Sequence, residues 1–228
     1  MSSSIIPRGI QAAYNNVMVG ANSGQGLRAR AVRVVFDALW RGTLHRDQLV
    51  ARELSRRLGH STFVLYHHFG SLDGFLIQVD GKGWQALLES LLRRDRRGAT
   101  VAQLARGFVE FAFRRPVLYW LMTERPFDRA QLRRRGRLRA GDELWEGFVG
   151  IVARHGSQTP QLDARALLAG LHGLVALTAS GRGTLGNTNP RAARRDTYAA
   201  ARRLASALLP GDPPCARNGP AAVLRKRT

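Results

Sequence analysis

From Leu27 to Leu209 apolar residues recur at intervals of three and four, and nowhere do they alternate with polar ones over a strand's length. That pattern gives helices one dry and one wet face, and it leaves no candidate strand, so the chain reads as all-α. Ala31, Val34, Val35, Ala38 and Leu39 form the first stripe, stopped by Gly42. A short helix is expected over about Asp47 to Leu58, capped by Asp47, with Val50, Leu54 and Leu58 on its inner face. Another runs from Ser61 to Phe69, with Ser61 or Thr62 as cap and Gly70 as stop. Longer helices follow: Leu72 to Arg93, Val101 to Ala112 before Pro116, a short apolar turn or helix at Leu118 to Met122, and Arg129 to Arg154. Asp163 caps the next, which ends at Gly181, and Asn189 with Pro190 opens a last one closed by Pro210. The total is roughly nine helices.

At 228 residues there is room for one large domain or two small ones. Hydrophobic residues at 44% and charged residues at 23% exclude extensive disorder. Leu167 to Gly181, the longest apolar run, is interrupted by His172 and is too short to span a bilayer, and the first residues lack a signal-peptide core. No membrane association is expected. A lone cysteine, Cys215, fits a reducing cytoplasm. The 36 basic and 16 acidic residues leave a net charge of +20, which points to a polyanion and first to nucleic acid. Against this, all the cations but Lys82 and Lys226 are arginines and the charge is spread along the chain. A genome-wide composition bias accounts for that equally well.

The segment Leu49 to Leu76, LVARELSRRLGHSTFVLYHHFGSLDGFL, carries the most information. Two short helices joined at Gly59, with Leu54 and Leu65 spaced to share one core, are a helix-turn-helix candidate. On Leu54, Leu58-Gly59, Leu65-Tyr66-His67-His68-Phe69 and Ser71, the chain resembles the TetR family of bacterial repressors. The resemblance is strong over about 28–92. Over 99–209 it is weaker, resting on Pro116-Val117-Leu118-Tyr119 to Met122, on Leu171-His172-Gly173-Leu174 and on Ala179-Ser180-Gly181-Arg182.

The resemblance implies a three-helix DNA-binding domain over 28–71 and a larger helical effector-binding and dimerisation domain over 72–209. A flexible arm at 1–27 and a disordered tail at 210–228 flank them. It also implies site residues. Tyr66 looks like the family's phosphate-binding tyrosine, and His67 and His68 look like phosphate or groove-edge contacts. Ser61, Thr62, Phe63 and Val64 stand at the start of the recognition helix, and Arg52 on the helix before it. Two departures are notable. Phe63-Val64 occupy positions where the family has a small residue followed by Thr or Ser; they can touch thymine methyls or turn inward, but cannot donate to base edges. Leu72 replaces a common lysine and removes one phosphate contact.

No catalytic constellation, metal-ligand spacing or cofactor motif is readable, so an enzyme is not expected. Phe108, Phe111, Trp120, Phe127, Trp145, Phe148, Leu171 and His172 are candidates to line an apolar ligand pocket, although aromatics at helical spacing fill ordinary cores equally well. With few acids in that region, a neutral or acidic apolar effector is expected over a cation. The small-residue helices near 163–182 and 190–209 are the expected homodimer interface. The functional expectation is a transcriptional repressor released from a palindromic operator by a small-molecule effector. Two alternatives stay open: a basic helical protein that binds DNA without effector control, and a small-molecule enzyme or binder on a helical fold.

Overall fold

In the computed structural model, residues 21–128, 130, 133, 137–182 and 189–209 are described. Among these residues there are nine α-helices and no strand. The helices are α1 (Ala21–Trp40), α2 (Ala51–Leu58), α3 (Thr62–Phe69), α4 (Leu72–Asp95), α5 (Val101–Arg114), α6 (Pro116–Thr123), α7 (Arg137–Arg154), α8 (Pro160–Ala179) and α9 (Pro190–Leu208). Residues 1–20, the tail 210–228 with Cys215, and much of the expected helical stretch between 129 and 136 lie outside the described residues.

Several boundaries differ from the sequence expectation. The helix α1 already begins at Ala21, so residues 21–27 are helical rather than part of an arm. Asp47 does not cap α2. It sits in a separate 3-10 turn, Arg46–Gln48, where the Gln48 side chain accepts the His45 N–H at 2.8 Å. That turn rotates the chain so that Leu44 and Leu49 are buried while Val50 is 48% exposed. The inner face of this region is therefore Leu44, Leu49 and Leu54, not Val50. Asp163 likewise is no N-cap. Thr159 holds that position before Pro160, and Asp163 accepts hydrogen bonds from Ser157 Oγ at 2.5 Å and Thr159 Oγ1 at 3.2 Å. Started at Pro160, α8 spans 20 residues and is long and apolar enough to cross a membrane by length and composition alone, whereas the run counted from Leu167 was too short. The expected Asn189 cap is present, its side chain accepting the Arg191 N–H at 2.9 Å.

Contacts divide the chain into two compact units, residues 1–84 with 115–140, and residues 85–114 with 141–228. The division falls within α4, after Trp84, not at the 71/72 boundary expected from the sequence, and α6 joins the first unit. Packing explains this. The first half of α4 buries Phe75, Leu76, Ile77 and Val79, and the Phe75 ring meets Phe69 edge-on at 4.7 Å. Gly83 lets α6 lie close, since a Cβ there would stand 2.6 Å from Met122 Sδ. Val32, Val35 and Leu39 of α1 complete this core, with Leu118 and Leu121 of α6 also buried. Asp73 pairs with Arg125 at 2.7 Å, and Arg115 lies 3.4 Å above the Trp40 ring.

In the second unit α5 is central and packs against α8 and α9. Its inward side is nearly continuous: Val101, Leu104, Ala105, Phe108, Val109, Phe111 and Ala112 are all buried. Phe113 meets Tyr198 of α9 edge-on at 5.9 Å, and the Thr178 and Thr197 hydroxyls join α8 to α9 at 2.6 Å. The C-terminal ends of α4 and α7 are tied by Asp95. One of its carboxylate oxygens takes two Arg154 donors at 2.6 and 2.8 Å, and the other meets the buried His155 Nε2 at 3.0 Å.

Candidate nucleic-acid interface

The turn between α2 and α3 is built by Gly59. At φ 71° it takes the left-handed conformation that other residues adopt at a cost. Its N–H donates to the Arg56 carbonyl at 3.2 Å and the His60 N–H to the Ser55 carbonyl at 3.0 Å, the paired bonds that close a helix C-terminus. The chain then extends through Ser61 and re-enters a helix at Thr62. Ser61 sits at the N-cap but its side chain makes no capping bond, so the first N–H groups of α3 keep hydrogen-bonding capacity and positive dipole character. Gly70 ends α3, and Ser71 Oγ accepts the Gly74 N–H at 2.9 Å to open α4.

Two buried side chains fix how α3 is rotated. Leu65 and Phe69, one helical turn apart, are each 3% exposed. With that face anchored, the opposite one looks outward. Ser61, Thr62, Phe63, Tyr66 and His67 are all exposed, and Val64 and His68 are half-buried. Phe63 and Val64, adjacent in sequence, differ in exposure: Phe63 is 65% exposed while Val64 is half-buried. The His67 ring lies nearly parallel to Phe63, with centroids 5.9 Å apart and planes at 19°, and meets His68 edge-on at 5.1 Å. Tyr66 is 47% exposed.

The cations nearby divide into committed and available ones. Arg56 is held by Glu53 through two bonds at 2.7 and 3.0 Å, and the hydrogen bond from Arg56 keeps the Glu53 carboxyl below its ordinary range. Arg57 donates to the Thr43 carbonyl at 3.2 Å and braces α2 against the preceding loop. Arg52 is exposed and has no polar partner among the described residues. The His68 imidazole is pushed below its ordinary value, first by partial burial and then by His67, Arg28 and His60. Val50, expected on the inner face, is exposed at the N-cap of α2; no periodicity distinguishes it from Leu49.

The second unit holds an apolar pocket that opens to solvent. Of the residues expected to line it, Phe108, Phe148 and Leu171 do so, joined by Leu91, Leu104, Ile151, Leu167 and Leu168 among others. Phe111 is buried away from that lining, and His172 is half-buried outside it. The Trp145 ring lies under the Arg165 guanidinium at 6.0 Å instead. Trp120 and Phe127 belong to the first unit, beneath Arg46 at 4.8 Å and Arg125 at 5.8 Å respectively.

A family model described as the tetracyclin repressor-like C-terminal domain matches residues 101–208. Among solved structures, the chain superposes on SCO4313, a protein described as regulatory, with a TM-score of 0.55 at 16% identity, covering 80% of this chain and 98% of that one. A protein of unknown function from Rhodococcus sp. RHA1 gives a TM-score of 0.52 at 23% identity, covering 82% and 98%. At these identities the superpositions show a shared fold. PfmR, a TetR family transcriptional regulator from Thermus thermophilus, is more distant, with a TM-score of 0.43 at 18% identity, covering 80% and 98%. No curated protein matches the sequence significantly.

Proposed function

We propose that this chain, which belongs to the TetR family of regulators, is a homodimeric repressor that reads a palindromic operator and is released from it by a small apolar molecule. The observation that carries the DNA-reading part is the outer face of α3. Leu65 and Phe69 hold the helix from within, and everything a duplex would meet is exposed or half-exposed. An eight-residue helix about 10–12 Å across fits a major groove about 12 Å wide. Tyr66, His67 and His68 are assigned to phosphates and Arg52 to the backbone or a base edge. Ser61, Thr62, Phe63 and Val64 are assigned to the bases.

Dimerisation is assigned to α8. Leu162, Ala166, Ala169, Gly173 and Leu177 follow one another at helical spacing on its surface, and Leu162 and Leu177 are 65% and 50% exposed. An uncharged stripe of this kind covers itself against a second helix. On α9, within the expected 190–209 interface, Ala201 and Ala205 are fully buried within the unit, so that helix contributes through Ala199 and its neighbours. The effector is assigned to the pocket lined by Phe108, Phe148 and Leu171, whose walls carry no charge to attract an ionic molecule.

Light scattering and a salt titration of duplex binding test this reading. Two chains per duplex are expected, with affinity falling steeply as salt rises, because each displaced phosphate counterion adds about 0.9 to the slope. A monomer, or binding indifferent to sequence, contradicts it. Filling the pocket with Leu168→Trp is expected to leave DNA binding intact and abolish release by whichever compound releases the native protein.

A further inference from the structure

We infer that Phe63 is a specificity-determining residue that selects thymine by apolar contact with its 5-methyl group. The inference rests on the DNA-reading proposed above and narrows it to one base type. Phe63 lies in the first turn of α3, on the face opposite the buried Leu65 and Phe69, and its ring is 65% exposed. An exposed phenylalanine in a well-anchored helix gives up the burial that its side chain would otherwise gain.

The surroundings of the ring identify what covers it. His67 stacks beside it at 5.9 Å, restricting the ring before any partner arrives. The outer face of α3 also carries the exposed Tyr66 and His67 and the uncapped N–H groups of its first turn, and Arg52 is exposed on the helix before it. That combination complements a polyanion, not an apolar protein surface. A benzyl side chain neither donates nor accepts, so it cannot read the nitrogen and oxygen edges of a base pair. The thymine methyl is the apolar group a major groove presents. Val64 is half-buried and offers a groove less apolar surface than Phe63 does.

Uracil substitution isolates that methyl group. Starting from a duplex that the protein selects, each thymine is replaced in turn by uracil, and affinities are measured for the native chain and for Phe63→Ala. For the native chain, one thymine per half-site is expected to be sensitive, losing about fourfold per methyl and about fifteenfold when both half-sites are changed. Phe63→Ala is expected to bind the thymine and uracil duplexes equally, with an unchanged melting temperature because the side chain is exposed. Sequence-selective binding that no uracil replacement weakens overturns the inference and leaves the DNA-reading proposal standing. Equal sensitivity in native and Phe63→Ala proteins assigns the methyl to another residue and also overturns it. A change of oligomeric state in Phe63→Ala without DNA makes the ring a self-association contact, a third overturning result. Failure to select any duplex defeats the underlying reading instead.

Discussion

On α3 the Phe63 and Tyr66 side chains stand in solvent while Leu65 and Phe69 are buried; on α8 Leu162 and Leu177 stand in solvent while Leu171 and Val175 are buried. Both helices leave apolar side chains uncovered, but in different company. Around Phe63 the exposed positions are Ser61, Thr62, Tyr66 and His67, with Arg52 on the helix before. Along the α8 stripe they are Ala166 and Ala169, with the half-buried Gly173 between them and Leu177 and no charge within the line. An apolar ring among hydrogen-bonding and cationic groups suits a surface that mixes phosphates, base edges and methyl groups. A stripe of small and aliphatic residues suits another helix at close range. Amphipathicity alone does not separate the two; the outer-face neighbours do.

The comparison breaks hardest if buried and exposed aromatics on α3 behave alike. Phe69→Ala should cost about 4 kcal/mol, because it empties a packed position beside Phe75, and a melting experiment reads that loss directly. Next is α8. Ala169→Glu should weaken dimerisation by about 3 kcal/mol, more than a hundredfold, by placing a charge in the stripe while leaving the helical circular dichroism signal unchanged. Analytical ultracentrifugation distinguishes this from unfolding. Tyr66→Phe should leave melting unchanged and weaken duplex binding about tenfold on every sequence, since a lost phosphate contact carries no base preference. A changed preference would put Tyr66 among the base-reading residues.

The smallest effect concerns His68. Its pKa in the folded chain lies below the ordinary 6.5, so the unfolded chain takes up the proton first as pH falls. The contribution to stability is therefore present above about 6.5 and is lost as pH drops from there toward the folded value. The melting temperature should fall between pH 7.5 and pH 5.5, and His68→Asn should shrink the difference.

The first unit was the more legible in the sequence, for local reasons. Gly59 and Gly70 announce the helix ends, and Leu65 and Phe69 at one-turn spacing mark the buried side of α3, whereas Ser61, Thr62, Tyr66 and His67 stood out only through the family resemblance; all four are exposed. The entry into α2 is not legible in the sequence because a 3-10 turn and an α-helix share the same polar residues, and only burial tells Leu49 from Val50. Val64 was grouped with Phe63 because neighbours in a short helix differ by about 100°, which places one at the edge of the buried face. The pocket was harder. Phe108 and Phe111 sit on one helix at core spacing, yet only Phe108 reaches the cavity, and the leucines completing its wall had no signal to mark them. The split within α4 was hidden as well, since a continuous helix shows no break in period where its partners change.

Selection of bound duplexes from a random pool at about 150 mM salt tests the central claim most directly, because that salt suppresses binding driven by charge alone. The account predicts a palindromic consensus with half-sites about one helical turn apart, matching a dimer that presents two α3 helices. Recovery of no consensus, or of a single half-site without symmetry, would contradict it.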